Sequence, residues 1–346
     1  MKDIKEWCRG DGIRDDTNGL KAALNSGESI EVSPGVYRIT SPIISHNPSV
    51  HMEGAGGASI FKFENCDGFK FNLPSTEYYS DSVNGLVLKN FHLKTNSYNK
   101  TGMIIRCEDE NDNSNIPTMV DGITFSGVSP QTTHWAKNLV YSRVGRTTTR
   151  SVRIHGPIFL NRSSIGVYYD GDENIPATEH SLSDVKVVGC STGVWADGWV
   201  EGITMSSSHI VACYDGVVAS LNHKPQFNIN NCHINAWRKG VSFNEVTQSS
   251  ISNNLFYIDS KRAYDGHAGV VCVGNEYISS DTIITNNTFY HIGENNSQRG
   301  TGIDISGSGF IVANNIIKLF EKGILNKSNQ HIVKDNLFIY CKEEIA

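Results

Sequence analysis

A short pattern of alternating apolar and polar residues, opened by a glycine, recurs through the second half of the chain. In this glycine motif, the residues one and three positions after the glycine are mostly apolar, and those two and four positions after it alternate to the other side. Such alternation is typical of a β-strand with one face turned inward. The glycines are Gly166, Gly193, Gly216, Gly240, Gly269, Gly302 and Gly323. They lie 27, 23, 24, 29, 33 and 21 residues apart, and repetition at such periods indicates a solenoid.

A second element, a pair of residues rich in asparagine, recurs between the glycine motifs. The pairs are Asn230-Asn231, Asn253-Asn254, Asn286-Asn287, Asn314-Asn315 and Asp335-Asn336. Asparagine tolerates left-handed backbone and can bond its equivalents in adjacent coils, so each pair predicts a tight corner. The sequence therefore predicts two strands and their corners in every repeat.

The repeat length selects the architecture. Each repeat is too short for a strand–helix–strand crossover but long enough for one coil of strands and turns. We predict an all-β fold, a right-handed parallel β-helix, with a cap and first coil over residues 1–45 and one solenoid with long loops over residues 46–346. A β-sandwich would also have short strands and turns, but it does not explain the same motif recurring in the same order.

The amino-terminal segment predicts a cap. Thr17 or Asp16 can begin a short helix, and Gly27 can end it. The helix would bury one apolar face, formed by Leu20, Ala23 and Leu24. Such a helix would cover one end of the solenoid and protect its strand edges.

Five further segments are predicted as strands from their apolar patterns. Residues 29–32 and 36–39 flank a Pro-Gly turn, which predicts a hairpin-like strand pair. The segments that begin at Gly85, Gly122 and Ser151 resemble first strands of successive coils.

Composition narrows the possible partners. The net charge is −6 and basic runs are absent, which argues against nucleic acid as the main partner. No apolar run approaches the length needed for membrane insertion, and the first residues have no signal-peptide pattern. The eight cysteines have irregular spacing without a CxxC pair, so we expect buried, reduced thiols from a reducing compartment and no zinc site. We predict no cofactor.

The amino-terminal run is recognisable as well. Gly10-Asp11-Gly12, Asp15-Asp16-Thr17 and Pro34-Gly35-Val36-Tyr37-Arg38-Ile39 resemble the amino-terminal signature of the pectate-lyase-like superfamily, in the branch that contains many bacteriophage tailspikes. The likeness is close over residues 1–45. The later coils resemble this family in their general pattern but not residue by residue.

The resemblance implies lyase, hydrolase or epimerase activity on acidic or neutral polysaccharides. It also implies a homotrimer in the virion tail, folded in the host cytoplasm. Tailspikes usually carry a separate virion-binding domain before this signature. The chain is therefore expected to be either a central domain or a protein whose other parts are supplied elsewhere.

Candidate chemistry lies where acidic side chains face outward in neighbouring coils. Asp170 and Asp197 each stand four residues after a glycine and share one outward column, with Tyr168 and Trp195 in the adjacent column. Stacked strands are about 4.8 Å apart, near the ~5 Å carboxylate spacing of retaining glycosidases, and diagonal pairs would reach the ~6.5–9.5 Å of inverting ones. One carboxyl group could serve as acid and the other as base or nucleophile.

Glu201 offers a third carboxylate at the following corner, beside Trp199. Aromatic faces next to carboxylates suit a sugar-cleaving groove, because sugar rings present apolar C–H faces. The alternative is that Asp170 and Asp197, each followed by glycine, are turn residues. Trp195 and Trp199 could likewise pack a loop or a subunit interface.

Other positions compete for the site. Glu245 and Glu276 occupy similar corners of adjacent coils, with Trp237, Tyr257 and Tyr264 nearby.

Further candidates stand alone along the chain. The possible bases are His155, His180 and His267. The acidic run over residues 108–114 could bind calcium, but it lacks a known calcium-binding loop pattern. A solvated loop is the favoured interpretation.

The prediction from these observations is a phage tailspike-like depolymerase that binds and hydrolyses a bacterial surface polysaccharide, a capsule or an O-antigen. A β-eliminating lyase is the nearest alternative, and it would need a uronate substrate and a basic residue. A non-catalytic receptor-binding spike is the alternative from another class.

Overall fold

The computed structural model describes residues 1–76, 85–109, 111–129, 132–157, 164–171, 177–259, 266–274, 279–292 and 299–346. Every strand pairing in these ranges is parallel and joins equivalent positions of successive coils, as in the pairings of β17 (Ile165–Asp170) with β14 (Trp135–Ser142) and β20 (Thr192–Asp197). The predicted parallel β-helix is confirmed. No helix in the described ranges is long and apolar enough to cross a membrane.

Three parallel sheets run along the solenoid, and the chain visits them in the order sheet 1, sheet 2, sheet 3. Sheet 1 contains β1 (Lys2–Asp3), β3 (Ile30–Val32), β6 (His51–Gly54), β9 (Leu86–Lys89), β12 (Thr118–Asp121), β15 (Thr147–Arg150), β18 (His180–Ser183), β21 (Ile203–Ser206), β23 (Asn228–Asn230), β25 (Ser250–Ser252) and β28 (Thr282–Thr285). Sheet 2 contains β2 (Asp11–Asp15), β4 (Gly35–Ile39), β7 (Ser59–Phe63), β10 (His92–Thr95), β13 (Thr124–Gly127), β16 (Arg153–His155), β19 (Lys186–Val188), β26 (Leu255–Asp259), β29 (Thr288–Ile292), β31 (Ile316–Lys318) and β33 (Leu337–Ile339). Sheet 3 contains β5 (Ile43–Ser45), β8 (Phe69–Leu73), β11 (Lys100–Cys107), β14, β17, β20, β27 (Ala268–Val273) and β34 (Glu343–Ile345).

Four long strands bend from one sheet into the next. They are β22 (His209–Pro225) and β24 (His233–Thr247), which pass from sheet 2 to sheet 3, and β30 (Thr301–Ala313) and β32 (Lys322–Lys334), which pass from sheet 3 to sheet 1. The described residues also include three short helices: the 3-10 helices Ile4–Glu6 and Gly56–Ala58 and the α-helix α1 (Thr17–Asn25).

Three details of the sequence interpretation are corrected. Each coil contains three strands rather than two. The additional strand belongs to sheet 1 and lies between the glycine motif and the asparagine pair that follows it. The hairpin prediction is wrong, since β3 pairs with β1 and β6 whereas β4 pairs with β2 and β7. The segments from Gly85, Gly122 and Ser151 belong to sheets 1 and 2, whereas the glycine motif forms sheet 3.

The inward column of the glycine motif forms the core, as predicted. Val217 and Val241, which pair across neighbouring coils, are buried, and Val218, the residue after Val217, is half-buried on the outer surface. Burying one such aliphatic side chain stabilises the fold by about 1.5–3 kcal/mol. The predicted burial of the thiols is confirmed for seven of the eight cysteines, which are free.

The motif's glycine is required because coils approach closely there. A Cβ atom at Gly216 would lie 2.2 Å from the carbonyl oxygen of Gly240 in the next coil and 2.7 Å from the side chain of Ile234. Neither distance is possible for a real Cβ atom. The recurring glycine is therefore a packing requirement between sheets 2 and 3.

The asparagine pairs lie at the corner between sheets 1 and 2, where one residue turns the backbone and another bonds to neighbouring coils. One member of each pair is left-handed, the second in Asn230-Asn231 and the first in the other four pairs: Asn231, Asn253, Asn286, Asn314 and Asp335. The second member is turned inward in the later coils, where the backbone N–H of Asn254 donates to Oδ1 of Asn287 at 2.9 Å and Nδ2 of Asn254 donates to the carbonyl oxygen of Ile229 at 2.9 Å. The predicted corner and the predicted bonding between coils are both confirmed.

The capping helix α1 is present and buries the predicted face, Leu20, Ala23 and Leu24. Asp16 is its N-cap residue, but its carboxylate does not bond to the helix. It accepts hydrogen bonds from the backbone N–H groups of Arg9 at 2.7 Å and Gly10 at 3.0 Å. The helix ends at Asn25, and Gly27 follows with a φ of +75°. Asp16 thus ties the preceding segment to the cap.

The inward and outward columns should differ in their tolerance of charge. Val217→Asp should lower the free energy of unfolding by several kcal/mol, because it buries an unpaired carboxylate. Val218→Asp, the matched control on the outer surface, should change it by less than about 1 kcal/mol. Urea denaturation followed by circular dichroism measures both, and equal losses would show that the register is wrong.

His180 predicts a loss of stability in acid. Burial lowers its pKa from 6.5 to about 4, so the unfolded chain binds a proton between these values that the folded chain does not. Stability should be constant above pH 6.5 and fall by about 1.4 kcal/mol per pH unit down to about pH 4 for this residue, roughly 3 kcal/mol in all.

Two variants isolate that contribution. His180→Asn should be less stable at pH 7, because it loses the ring packing on Tyr169. Between pH 6.5 and 4, however, its free energy of unfolding should fall less steeply with decreasing pH than that of the parent, by the contribution of one proton. Val217→Ala, which weakens the core without changing a histidine, should retain the slope of the parent. Identical slopes in all three proteins would contradict the assignment.

Candidate functional site

The outer surface of sheet 3 carries two parallel columns of side chains. One column is mostly apolar, and its successive members in register are Ile104, Val140, Tyr168, Trp195 and Val218. The other is polar, and its members are Arg106, Ser142, Asp170 and Asp197. Asp170 pairs directly with Asp197 across neighbouring strands, so the structure has the two carboxylates in the predicted register.

Each carboxylate has defined hydrogen-bond donors. Ser142 donates its hydroxyl to Asp170 at 3.0 Å. Asp197 accepts from the Tyr168 hydroxyl at 3.0 Å and from the backbone N–H of Gly198 at 3.1 Å. Both carboxylates are half-buried. They form a pair, which we term the carboxylate ledge, at the ends of β17 and β20.

The glycines that follow the ledge residues shape the turns beneath them. A Cβ at Gly198, whose φ is +65°, would lie 1.9 Å from the carbonyl oxygen of Gly171. The two turns therefore stack in contact, and no side chain fits between them. This turn geometry keeps both aspartates in register, so a turn role and a chemical role are compatible in the same residues.

Tyr168 lies in a small apolar cluster on the outer surface with Val140 and Ile165. The Lys137 ammonium sits 3.8 Å from the centroid of its ring, and the Trp195 ring meets it edge-on at 5.5 Å. Burial, followed by the negative charges of Asp197 and Asp170, raises the pKa of Tyr168. Its hydroxyl therefore stays protonated and serves as a donor.

Two of the three aromatic residues predicted to bind substrate, Tyr168 and Trp195, have different environments. The ring of Tyr168 is buried and covered by Lys137, and its hydroxyl holds Asp197. Trp195 is half-buried beside the ledge. Sugar stacking on either ring stays a prediction.

Trp199 and Glu201 occupy the turn that leads from the ledge to sheet 1. The indole N–H of Trp199 donates to a carboxylate oxygen of Glu201. The backbone N–H of Glu201 donates to the carbonyl oxygen of Ala177 at 2.9 Å. The structure thus places these two predicted residues at an adjoining corner, separate from the ledge. A catalytic role for Glu201 and a binding role for Trp199 stay predictions.

Glu201 also borders a polar groove of about 380 Å³. The side chains that line it are Thr178, Glu179, Glu201, Thr204, Gln226 and Asn228. Sequence reasoning missed Glu179 because no motif surrounds it. The strand register and the bond from the His180 backbone N–H to the Gly202 carbonyl oxygen, 3.0 Å long, show that Glu179 is the neighbour of Gly202.

The competing carboxylate pair is described only in part. Glu245 is half-buried with a φ of 55°, and Glu276 and Tyr264 lie outside the described residues. Trp237 packs on Tyr214, and Tyr257 packs on Tyr290. This pair stays a prediction.

The predicted histidine bases are spread over the fold. His180 and His267 are buried, and His155 is exposed on sheet 2.

The acidic run contributes a side-chain hydrogen bond in its described part. A carboxylate oxygen of Glu108 lies 2.8 Å from Nδ1 of His46, and residue 110 lies outside the described residues. In the part of the chain that the structure describes, no cluster of three or more histidine, cysteine or acidic side chains is arranged to hold a metal ion.

Comparisons with known proteins bear on the fold. No protein-family profile and no curated protein matches the sequence. A mutant tailspike of Escherichia coli bacteriophage HK620, in complex with a pentasaccharide, matches with a TM-score of 0.57 and 10% identity over 97% of this chain and 65% of its own. The A-module of the Azotobacter vinelandii mannuronan C-5 epimerase AlgE4 matches with a TM-score of 0.55 and 13% identity over 100% of this chain and 97% of its own.

A second tailspike, that of Dettilon, matches with a TM-score of 0.52 and 12% identity over 96% of this chain and 66% of its own. The chain shares the parallel β-helix fold of phage tailspikes and of the pectate-lyase-like epimerase module. The predicted resemblance is confirmed at the level of fold. The chain spans about two thirds of each tailspike chain.

Proposed function

We propose that this protein is a tailspike-like depolymerase that binds a bacterial surface polysaccharide, a capsule or an O-antigen, and hydrolyses its glycosidic bonds. The observation that carries the proposal is the direct pairing of Asp170 with Asp197 on neighbouring strands, beside half-buried Trp195. The fold shared with a tailspike in complex with a pentasaccharide supports an oligosaccharide as the class of ligand.

The pairing supports a retaining mechanism. In-register residues on adjacent parallel strands are about 4.8 Å apart, close to the ~5–5.5 Å separation of carboxyl groups in retaining glycosidases. One carboxyl group protonates the glycosidic oxygen while the other attacks the anomeric carbon and forms a glycosyl-enzyme. Water then hydrolyses this intermediate, and the first group accepts the proton from water.

The hydrogen bonds support an assignment of roles. Asp197 accepts hydrogen bonds at both carboxylate oxygens, from the Tyr168 hydroxyl at one and from the backbone N–H of Gly198 at the other, as suits a carboxylate that acts in its ionised form. The Ser142 hydroxyl can donate or accept, so it can bond to Asp170 in either protonation state. We therefore assign Asp197 as nucleophile and Asp170 as acid and then base. Glu201 is the third carboxylate, and Trp195 and Trp199 are the stacking surfaces for sugar rings.

A β-eliminating lyase is the second candidate, favoured by one observation. Arg106 belongs to the same outer column as Asp170, with Ser142 between them, and a lyase needs cationic groups to neutralise a uronate carboxylate. Its products would carry an unsaturated uronate that absorbs ultraviolet light. Hydrolysis yields new reducing ends without that absorbance.

Substitution of the ledge tests the mechanism. Asp170→Asn and Asp197→Asn should each lower turnover of a cleaved capsule or lipopolysaccharide by at least about 10²-fold, the contribution of general acid–base catalysis alone, with binding largely retained. Asp304→Asn is the matched control, an outward aspartate of sheet 3 that pairs with Lys327. Trp195→Ala should weaken binding more than it lowers turnover at saturation. Reducing-end release measures cleavage, and proton NMR of the product should show retained anomeric configuration.

Two results would redirect the assignment. Full activity in both asparagine variants would move the site to Glu245 and Glu276. A parent protein that binds polysaccharides but cleaves none would make the non-catalytic receptor-binding spike the better description.

The proposal includes a homotrimer with parallel axes in a virion tail. Ile283, Ile311 and Ile332 are in register on the outer face of sheet 1. Ile283 is 40% exposed and Ile332 is 50% exposed, and exposed apolar surface of this kind supports self-association. Light scattering should give a trimeric mass. A monomeric mass across micromolar concentrations would contradict the trimer.

A further inference from the structure

The corner between sheets 3 and 1 contains a break in a column of long polar side chains. Glu179, Gly202 and Gln226 occupy equivalent positions on three successive coils, directly before β18, β21 and the segment that leads to β23. All three are left-handed, with φ values of 63°, 65° and 70°. Because Gly202 has no side chain, the space between its two neighbours stays open.

This opening is the polar groove of about 380 Å³. A Cβ atom at Gly202 would have the backbone nitrogen of Glu179 as its nearest neighbour, at 3.3 Å. A larger side chain there would extend into the groove. The volume falls in the range of small-ligand sites, about 300–1,000 Å³.

The chemistry of the groove suits a sugar. Thr204, Gln226 and Asn228 supply hydroxyl and amide groups that can donate and accept hydrogen bonds, as a polyhydroxylated ring requires. The carboxylate of Glu201, which accepts the indole N–H of Trp199, borders it, and none of the described residues that line it is a lysine, arginine or histidine. An anionic sugar would therefore meet like charge, which selects against it.

The groove is also close to the carboxylate ledge along the chain. One turn, residues 198–202, leads from Asp197 to Gly202, and it carries Trp199 and Glu201 with their side chains bonded together. A glycan chain that lies over the ledge can thus continue around this corner into the groove.

We propose that the groove around Gly202 is a subsite for one sugar residue of the polymer, and that this sugar is neutral or carries an amine. The inference rests on the proposed function and deepens it, because it names the substrate class.

Filling the opening tests the subsite. Gly202→Asn places a side chain in the groove, and asparagine is among the residues that best tolerate left-handed backbone. Gly27→Asn is the matched control, because Gly27 has a φ of +75° with nothing within 4 Å of its added Cβ. We expect Gly202→Asn to raise the Kd for the polysaccharide by about tenfold or more and Gly27→Asn to leave it unchanged. Thermal unfolding verifies that both variants are folded.

A second pair of variants leaves the left-handed positions intact. Asn228→Ala removes an amide that lines the groove, and Asn230→Ala removes one from the same strand that bonds to Ser252 instead. Only Asn228→Ala should weaken binding. The probes are purified bacterial polysaccharides of three kinds: neutral, containing free amino sugars, and rich in uronate. Binding is measured by isothermal titration calorimetry.

The outcomes separate this inference from the proposed function. Unchanged binding in Gly202→Asn and Asn228→Ala, with cleavage lost in Asp170→Asn, would overturn the subsite and leave the hydrolase. Weakened binding in both groove variants, with full cleavage in the ledge variants, would support the subsite and overturn the catalytic assignment. Tightest binding to a uronate-rich polymer would overturn the proposed charge preference. A parent that binds none of the three kinds would overturn both.

Discussion

Each coil of this protein is held by backbone hydrogen bonds that join it, in register, to the coils before and after it. These bonds satisfy the peptide groups of three sheets and place equivalent residues above one another at the spacing of parallel strands. A residue type that recurs in the sequence therefore becomes a column in space. The core, the corners and the candidate site are all columns of this kind.

Equivalent residues can stack in columns only where each turn has a suitable backbone conformation and a side chain small enough for the next coil to pack against it. Left-handed residues recur at the corner between sheets 1 and 2, and inward asparagines such as Asn254 and Asn287 bond from one coil to the next. At the edge of sheet 3 a glycine such as Gly216 is required because the next coil's carbonyl group occupies the place of its Cβ. Polar corners and tight glycines thus allow a continuous apolar core.

The candidate site arises from the same stacking on the outer surface. Asp170 and Asp197 are 27 residues apart along the chain, and the ladder makes them nearest neighbours. The hydroxyl of Tyr168 and the backbone of Gly198 then donate to one carboxylate of the pair, so that two identical side chains acquire different surroundings. Two carboxyl groups can act as acid and nucleophile only when their surroundings differ in this way.

The sequence alone determined the solenoid, the inward column of the glycine motif, the asparagine corners and the register of the two aspartates. These features follow from a local period that every coil repeats. The third strand of each coil, the Lys137 ammonium over Tyr168 and the groove at Gly202 were decided only by the tertiary structure. Each depends on how one particular coil meets the next through turns of unequal length, and no periodic pattern records such contacts.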